Sequence, residues 1–122
     1  MIIRRCKLRE LEPYVKDAEA LNLSFLPSAK YWLAEYESKI VGFIALSVKS
    51  NYAVSKSLYV LPEYRRRGIA KQLLIESLIT AKLLGCKKVT ANCLPASLNL
   101  YLSLGATVIT EYKTVTKVEI LL

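Results

Sequence analysis

The chain has 122 residues, 53% of them hydrophobic, a formal net charge of +8 and no histidine, a length that suits one domain over residues 1–122 and leaves little room for a second core. No apolar run approaches the roughly 18 residues that cross a bilayer, and Met1-Ile2-Ile3-Arg4-Arg5 lacks the long apolar region of a secretory signal, so a soluble cytoplasmic protein without a membrane partner is expected. Cys6, Cys86 and Cys93 form no C-x-x-C pair, so no metal site is expected and the three should be reduced, mostly buried thiols.

The first segment, Ile2 to Leu8, is apolar but interrupted by Arg4, Arg5 and Lys7, which suits an edge strand with one wet face. From Glu10 to Leu21 the stripe Leu11, Tyr14, Val15, Ala18 and Leu21 predicts a helix stopped by Asn22. Leu23 to Ser28 fits a helical turn or an irregular loop equally. Tyr31–Tyr36 and Lys39–Val48, rich in aromatic and β-branched residues and separated by Glu37-Ser38, predict an antiparallel hairpin. A third strand should run from Ala53 to Val60, where Pro62 ends regular pairing. From Ile69 the residues Ala70, Leu73, Leu74, Leu78, Ala81 and Leu84 recur at steps of three and four, predicting a helix closed by Gly85. Lys88–Cys93 reads as a strand, parallel to the one ending at Val60 by a right-handed crossover. Pro95 starts a short helix through Leu104 that Gly105 closes, and Thr107–Thr110 with Val115–Leu121 alternate like two further strands.

The strand-to-helix junction at Val60–Ile69 is where chemistry concentrates. It holds Arg65, Arg66 and Arg67 ahead of Gly68, and a helix opening at Gly68 turns unpaired N–H groups and its positive dipole end toward the same turn. Anions should collect there, phosphate first. The charge distribution agrees. Residues 38–110 carry ten basic side chains against Glu63 and Glu76, while residues 1–37 and 111–122 are each neutral. A polyanionic ligand, a nucleic acid and a merely solubilising surface all fit that charge.

Arg65-x-x-Gly68-x-Ala70, preceded by Val60-x-Pro62-Glu63-Tyr64, resembles the cofactor motif of the GNAT superfamily of N-acetyltransferases. The segment Pro95 to Gly105, with Leu100-Tyr101 four residues before Gly105, is similar to the family helix that carries its general acid. The order of predicted elements is similar over nearly the whole chain. The resemblance implies an α+β, three-layer fold: a mixed, mostly antiparallel sheet with a splayed parallel pair of strands and flanking helices. It implies acetyl-CoA as cosubstrate, pantetheine against main-chain groups of Leu58, Tyr59 and Val60, and pyrophosphate on N–H groups from Arg66 to Ala70, with Arg65, Arg67 and Ile69 in the same turn. Lys71, in the first helical turn, suits either a phosphate partner or a solvated lysine, and the resemblance implies that Tyr101 would return a proton to the leaving thiolate, a transfer open to a phenol of pKa about 10.

Three positions depart from the family pattern: Leu94 stands where an asparagine often touches pantetheine, Ser97 replaces an alanine and Ala106 an aromatic residue. Asn92, at the strand end, fits either a compensating contact for Leu94 or a plain polar strand terminus. No carboxylate lies on the strand from Ala53 to Val60, leaving Glu35, Glu37, Glu111, Tyr52, a water chain or an amine that arrives neutral to answer for the base. The expected activity is direct acetyl transfer to an amine of a small molecule, peptide or protein, without metal; the stretch before Tyr31, shorter than is usual in the family, leads to the expectation of an open site that admits a peptide or protein amine. A CoA-binding module lacking turnover and a nucleic-acid-binding domain are the rivals. Monomer and homodimer are both compatible with the sequence.

Overall fold

In the computed structural model, which describes residues 1–14 and 25–122, the alternating segments are strands: β1 (Ile2–Cys6), β2 (Lys30–Tyr36), β3 (Lys39–Val48), β4 (Tyr52–Val60), β5 (Lys88–Cys93), β6 (Thr107–Glu111) and β7 (Thr116–Leu121). The segments with helical periodicity are α1 (Ile69–Leu83) and α2 (Pro95–Ser103). The strands make one sheet in the order β1-β2-β3-β4-β5-β7-β6. All neighbours are antiparallel except β4 and β5, which are parallel and joined through α1. Leu8–Leu11 form a 3-10 turn and residues 12–14 are helical. The remainder of the helix expected over Glu10–Leu21, its Asn22 stop, and Leu23 and Ser24 lie outside the described residues.

The hairpin of β2 and β3 closes through Glu37 and Ser38, with φ of 49° and 64°. Two successive left-handed residues are the type I′ geometry whose twist matches the strands, achieved here without glycine or asparagine.

Successive strand side chains point to opposite faces, and this alternation divides the interior in two. On one side Trp32, Ala34, Ile44, Leu46 and Val118 pack with Ile69, Leu73, Leu74 and Ala81 of α1 and Tyr101 of α2; we call this the helix face. On the far face Tyr31, Leu33, Phe43 and Ala45 pack with Leu11, Tyr14 and Phe25. The α1 stripe is shorter than its periodicity suggests. Leu84 is 52% exposed, because α1 ends at Leu83 and Gly85, at φ +85°, turns the chain away. The inward side of α1 instead includes Ser77, whose hydroxyl donates to the Leu74 carbonyl at 2.7 Å. Cys86 and Cys93 are buried, Cys6 is half-buried, and all three are free thiols.

Gly42 sits where β3, β4 and α1 come closest. A Cβ there would stand 2.9 Å from the Tyr59 carbonyl oxygen and 3.3 Å from Leu73 Cδ1, too near for either to remain in place. Gly42→Ala should therefore lose about 1–3 kcal/mol of stability in urea titration, the usual cost of overpacking; an unchanged midpoint would mean that β4 can yield at no cost.

Candidate active site

The parallel pairing of β4 and β5 runs through Tyr52↔Lys88, Ala53↔Val89 and Val54↔Thr90 and stops at Ser55↔Ala91. Both strands continue, β4 to Val60 and β5 to Cys93, so they part into a gap. The cause is a bulge in β4. Between the pairs Phe43↔Tyr59 and Ala45↔Lys56, β4 has one residue more than β3, and Ser57 there takes φ 56°. An extra residue bends a strand and increases its twist, and this bend begins directly past the last shared rung.

The hydrogen-bond alternation shows which groups face the gap. Leu61 N–H donates to the Val41 carbonyl at 2.8 Å, so the next pair, Gly42↔Val60, exchanges no bonds and Phe43↔Tyr59 does. Tyr59 therefore turns its main chain to β3, contrary to the expectation that it would serve the cleft. Its ring packs on Phe43 instead, at 5.6 Å between centroids. Val60 turns its N–H and carbonyl toward the side that β5 has left, and its carbonyl accepts from Arg65 Nε at 2.9 Å. Leu58 lies within the bulge.

Beyond the carboxyl end of β4, Pro62–Tyr64 make a 3-10 turn and the chain reverses into α1. Gln72 N–H bonds to the Gly68 carbonyl at 3.1 Å, so the N–H groups of Gly68, Ile69, Ala70 and Lys71 precede the first helical bond and have no helical acceptor. Gly68 is exposed at φ +81°, no side chain caps the helix, and an added Cβ would meet nothing within 4 Å. Arg66 is also left-handed, at φ 64°. The arginines have separate tasks. Arg65 is spent on Val60, and Arg67 donates to the Glu63 carbonyl at 3.2 Å with its guanidinium 5.0 Å from the Tyr64 ring. Arg66 and Lys71 are exposed and form no ion pair among the described residues.

At the apex of the gap the Tyr101 hydroxyl lies 2.7 Å from Ser55 Oγ, on the helix face of the last rung. Tyr101 is 4% exposed, and burial raises its phenol well above the usual value, with the Ser55 bond opposing and nearby Cys93 adding to the rise. The Cys93 thiol is pushed up to about 11 by burial, against a hydrogen bond from Ser97. Across the sheet, on the far face, a cleft of about 320 Å³ is lined by Tyr52, Val54, Thr90, Ala91, Asn92, Tyr112 and Lys117. Ala91 belongs both to the last rung and to the lining of this cleft.

The acetyltransferase (GNAT) family model matches residues 2–106. The chain belongs to the GNAT acetyltransferase family. The uncharacterised N-acetyltransferase YjgM of Escherichia coli K12 is 30% identical over 86 residues, which are 65% of this chain and 52% of that protein, so the match spans about half of the relative's length. The PaiA N-acetyltransferase of Thermoplasma acidophilum, solved with coenzyme A, superposes with a TM-score of 0.82 at 18% identity over 100% of both chains. An IAA acetyltransferase from Bacillus cereus does so at 0.81 and 17% identity over 99% of each. These likenesses establish the GNAT fold.

Within this GNAT fold the expected residues distribute as follows. Val60 and the Gly68–Lys71 amides face the gap or its mouth, Leu58 lies in the bulge with its side chain against the helix-face core, and Tyr101 sits at the apex of the gap. Asn92 is exposed in the far-face cleft, one residue beyond the last rung. Of the candidate bases only Tyr52 reaches that cleft. Glu35 pairs with Arg4 at 2.9 Å near the β1 edge, Glu37 is in the hairpin turn, and the register puts Glu111 on the face of Cys93. Ser55, Ser57, Tyr112 and Lys117 were not expected. A hydroxyl partner for Tyr101 and a bulge leave no mark in hydrophobic alternation.

The raised Tyr101 phenol makes a measurable difference to alkaline stability. Unfolded tyrosine ionises near pH 10 while buried Tyr101 stays protonated, so its contribution is complete below about pH 10 and declines by about 1.4 kcal/mol per pH unit above it. Tyr101→Phe should remove this component, so that the stability gap between parent and variant narrows from pH 9 to 11 in denaturant titrations; a constant gap would contradict the burial.

Proposed function

We propose that this chain is a single-domain, cytoplasmic N-acetyltransferase that moves an acetyl group from acetyl-CoA directly to an amine. The observation that carries the proposal is the loss of β4–β5 pairing at Ser55↔Ala91, with Tyr101 on one face of that rung and an open cleft on the other. A crevice beyond the carboxyl ends of parallel strands is also where ligands bind in sheets of this kind. The residues fit the cosubstrate: uncapped amides of Gly68–Lys71 suit its pyrophosphate, as do the exposed Arg66 and Lys71, and the Val60 N–H suits an amide of pantetheine.

Acetyl-CoA supplies a thioester with a thiolate leaving group; the chain holds it, admits the amine and moves a proton. The amine nitrogen approaches from the far face and forms the new bond to the acyl carbon as the C–S bond breaks. The amine proton leaves to water through the open cleft, and Tyr101 gives its hydroxyl proton to the sulfur, to be replenished through Ser55 or solvent. High phenol pKa keeps Tyr101 protonated at neutral pH, and the burial that raises the Cys93 thiol would raise a thiolate beside it as well. The cleft has no carboxylate among its described residues, so an amine arriving neutral replaces a side-chain base.

At about 100 times its dissociation constant, acetyl-CoA should raise stability by about 2.7 kcal/mol, seen as a melting shift that salt-matched ATP does not reproduce. Gly68→Val, forcing a branched side chain into φ +81°, should abolish the shift. Tyr101→Phe should keep it while lowering kcat for thiol release by about 10²–10⁴-fold. A shift without turnover on any amine would favour a binding module, and equal shifts with acetyl-CoA and ATP a general polyanion site.

A further inference from the structure

We infer that the far-face cleft selects small amines that also bear a carboxylate, and that Lys117 is the residue that binds it; this rests on the acetyl-transfer function above and narrows its acceptor. Lys117 stands on β7 directly opposite Asn92 of β5, and Asn92 is the first residue past the last β4–β5 rung. Opposite residues on antiparallel strands hold their Cβ atoms about 5 Å apart, so a lysine stem can carry its ammonium across Asn92 toward the gap. A carboxylate on Lys117 then leaves an amine a few bonds away at the opening where the thioester is attacked.

The surrounding charges point the same way. Lys88 on this face is engaged with Glu119 at 3.4 Å, which also occupies the acid two residues along from Lys117. Lys117 itself has no ion pair among the described residues. No described residue lining the cleft is acidic. Across the gap Lys56 shares the face of Val54, and its ammonium is held below the usual lysine value, first by burial and then by Lys49. A polyamine or a lysine-rich tail would bring further positive charge to a site with no anion to receive it. An amino-carboxylate brings the missing partner, and a charge-assisted bond to it is among the stronger polar contacts a site can offer. Thr90, Asn92, Tyr52 and Tyr112 supply hydroxyl and amide contacts, Val54 an apolar wall, and about 320 Å³ is the small end of ligand clefts.

The test uses the whole chain saturated with acetyl-CoA. Thiol release is measured for each L-α-amino acid against its own carboxamide at equal free-amine concentration, with spermidine as the polycationic arm, in the parent, Lys117→Met and Lys117→Arg. The parent should favour at least one acid over its amide by roughly ten- to hundredfold in kcat/KM. That ratio should fall toward one in Lys117→Met, through KM for the acceptor, and return in Lys117→Arg, while the melting shift with acetyl-CoA persists in all three. Amides or spermidine used as well as every acid by the parent, or an acid preference surviving in Lys117→Met, would overturn the assignment and leave acetyl transfer standing. A parent with no acetyl-CoA shift would remove both.

Discussion

One extra residue in β4 governs this molecule. Had β4 kept register with β3 past Ala45↔Lys56, nothing would have bent it from β5, and the two parallel strands could have zipped to their ends. The bulge at Ser57 ends shared pairing at Ser55↔Ala91. It also leaves main-chain groups without a strand partner where a folded protein normally satisfies nearly all of them. The fold meets part of that debt internally, through Arg65 on the Val60 carbonyl, and the Val60 N–H is turned to the same gap.

Apart from the β2–β3 hairpin turn at Glu37 and Ser38, the non-glycine left-handed residues among those described lie at the same place. Ser57 and Arg66 adopt left-handed φ without being glycine, and Gly68 does so at the start of α1. Such conformations cost on the order of 1–3 kcal/mol each for ordinary residues and persist where the surroundings enforce them. Beside the bulge β3, β4 and α1 are packed so closely at Gly42 that Tyr59 and Leu73 leave no room for a Cβ. Burial does the equivalent for the chemistry, fixing Tyr101 against Ser55 and keeping its proton on.

Much of this was legible in the sequence because it depends on periodicity and on a few special residues. Alternation located the strands of the hairpin, β4 and β5 to within a residue or so, and Pro62, Gly68, Pro95 and Gly105 marked the junctions. The anion-attracting turn could be read because a strand, three arginines, a glycine and a helix each leave a chemical signature. The individual arginines could not, since Arg65 and Arg67 find partners only after the chain reverses. Nor could the orientation of Tyr59, which depends on hydrogen-bond phase relative to β3 and not on its side chain. Ser55 meets Tyr101 across 46 residues of sequence, and Lys117 joins the cleft only through the β5–β7 register. The carboxylates weighed as bases failed for the same reason: their proximity to the gap is a tertiary fact.

The most direct measurement of the central claim is amide hydrogen exchange, resolved by residue, before and after coenzyme A is added. The Val60 N–H and the amides of Gly68 to Lys71 should exchange readily in the free protein and become protected with ligand. Tyr59, already bonded to β3, should be protected in both states and change little. Protection gained at Tyr59 and absent at Val60, or no change along the start of α1, would mean that the parted strands are not where the thioester lies.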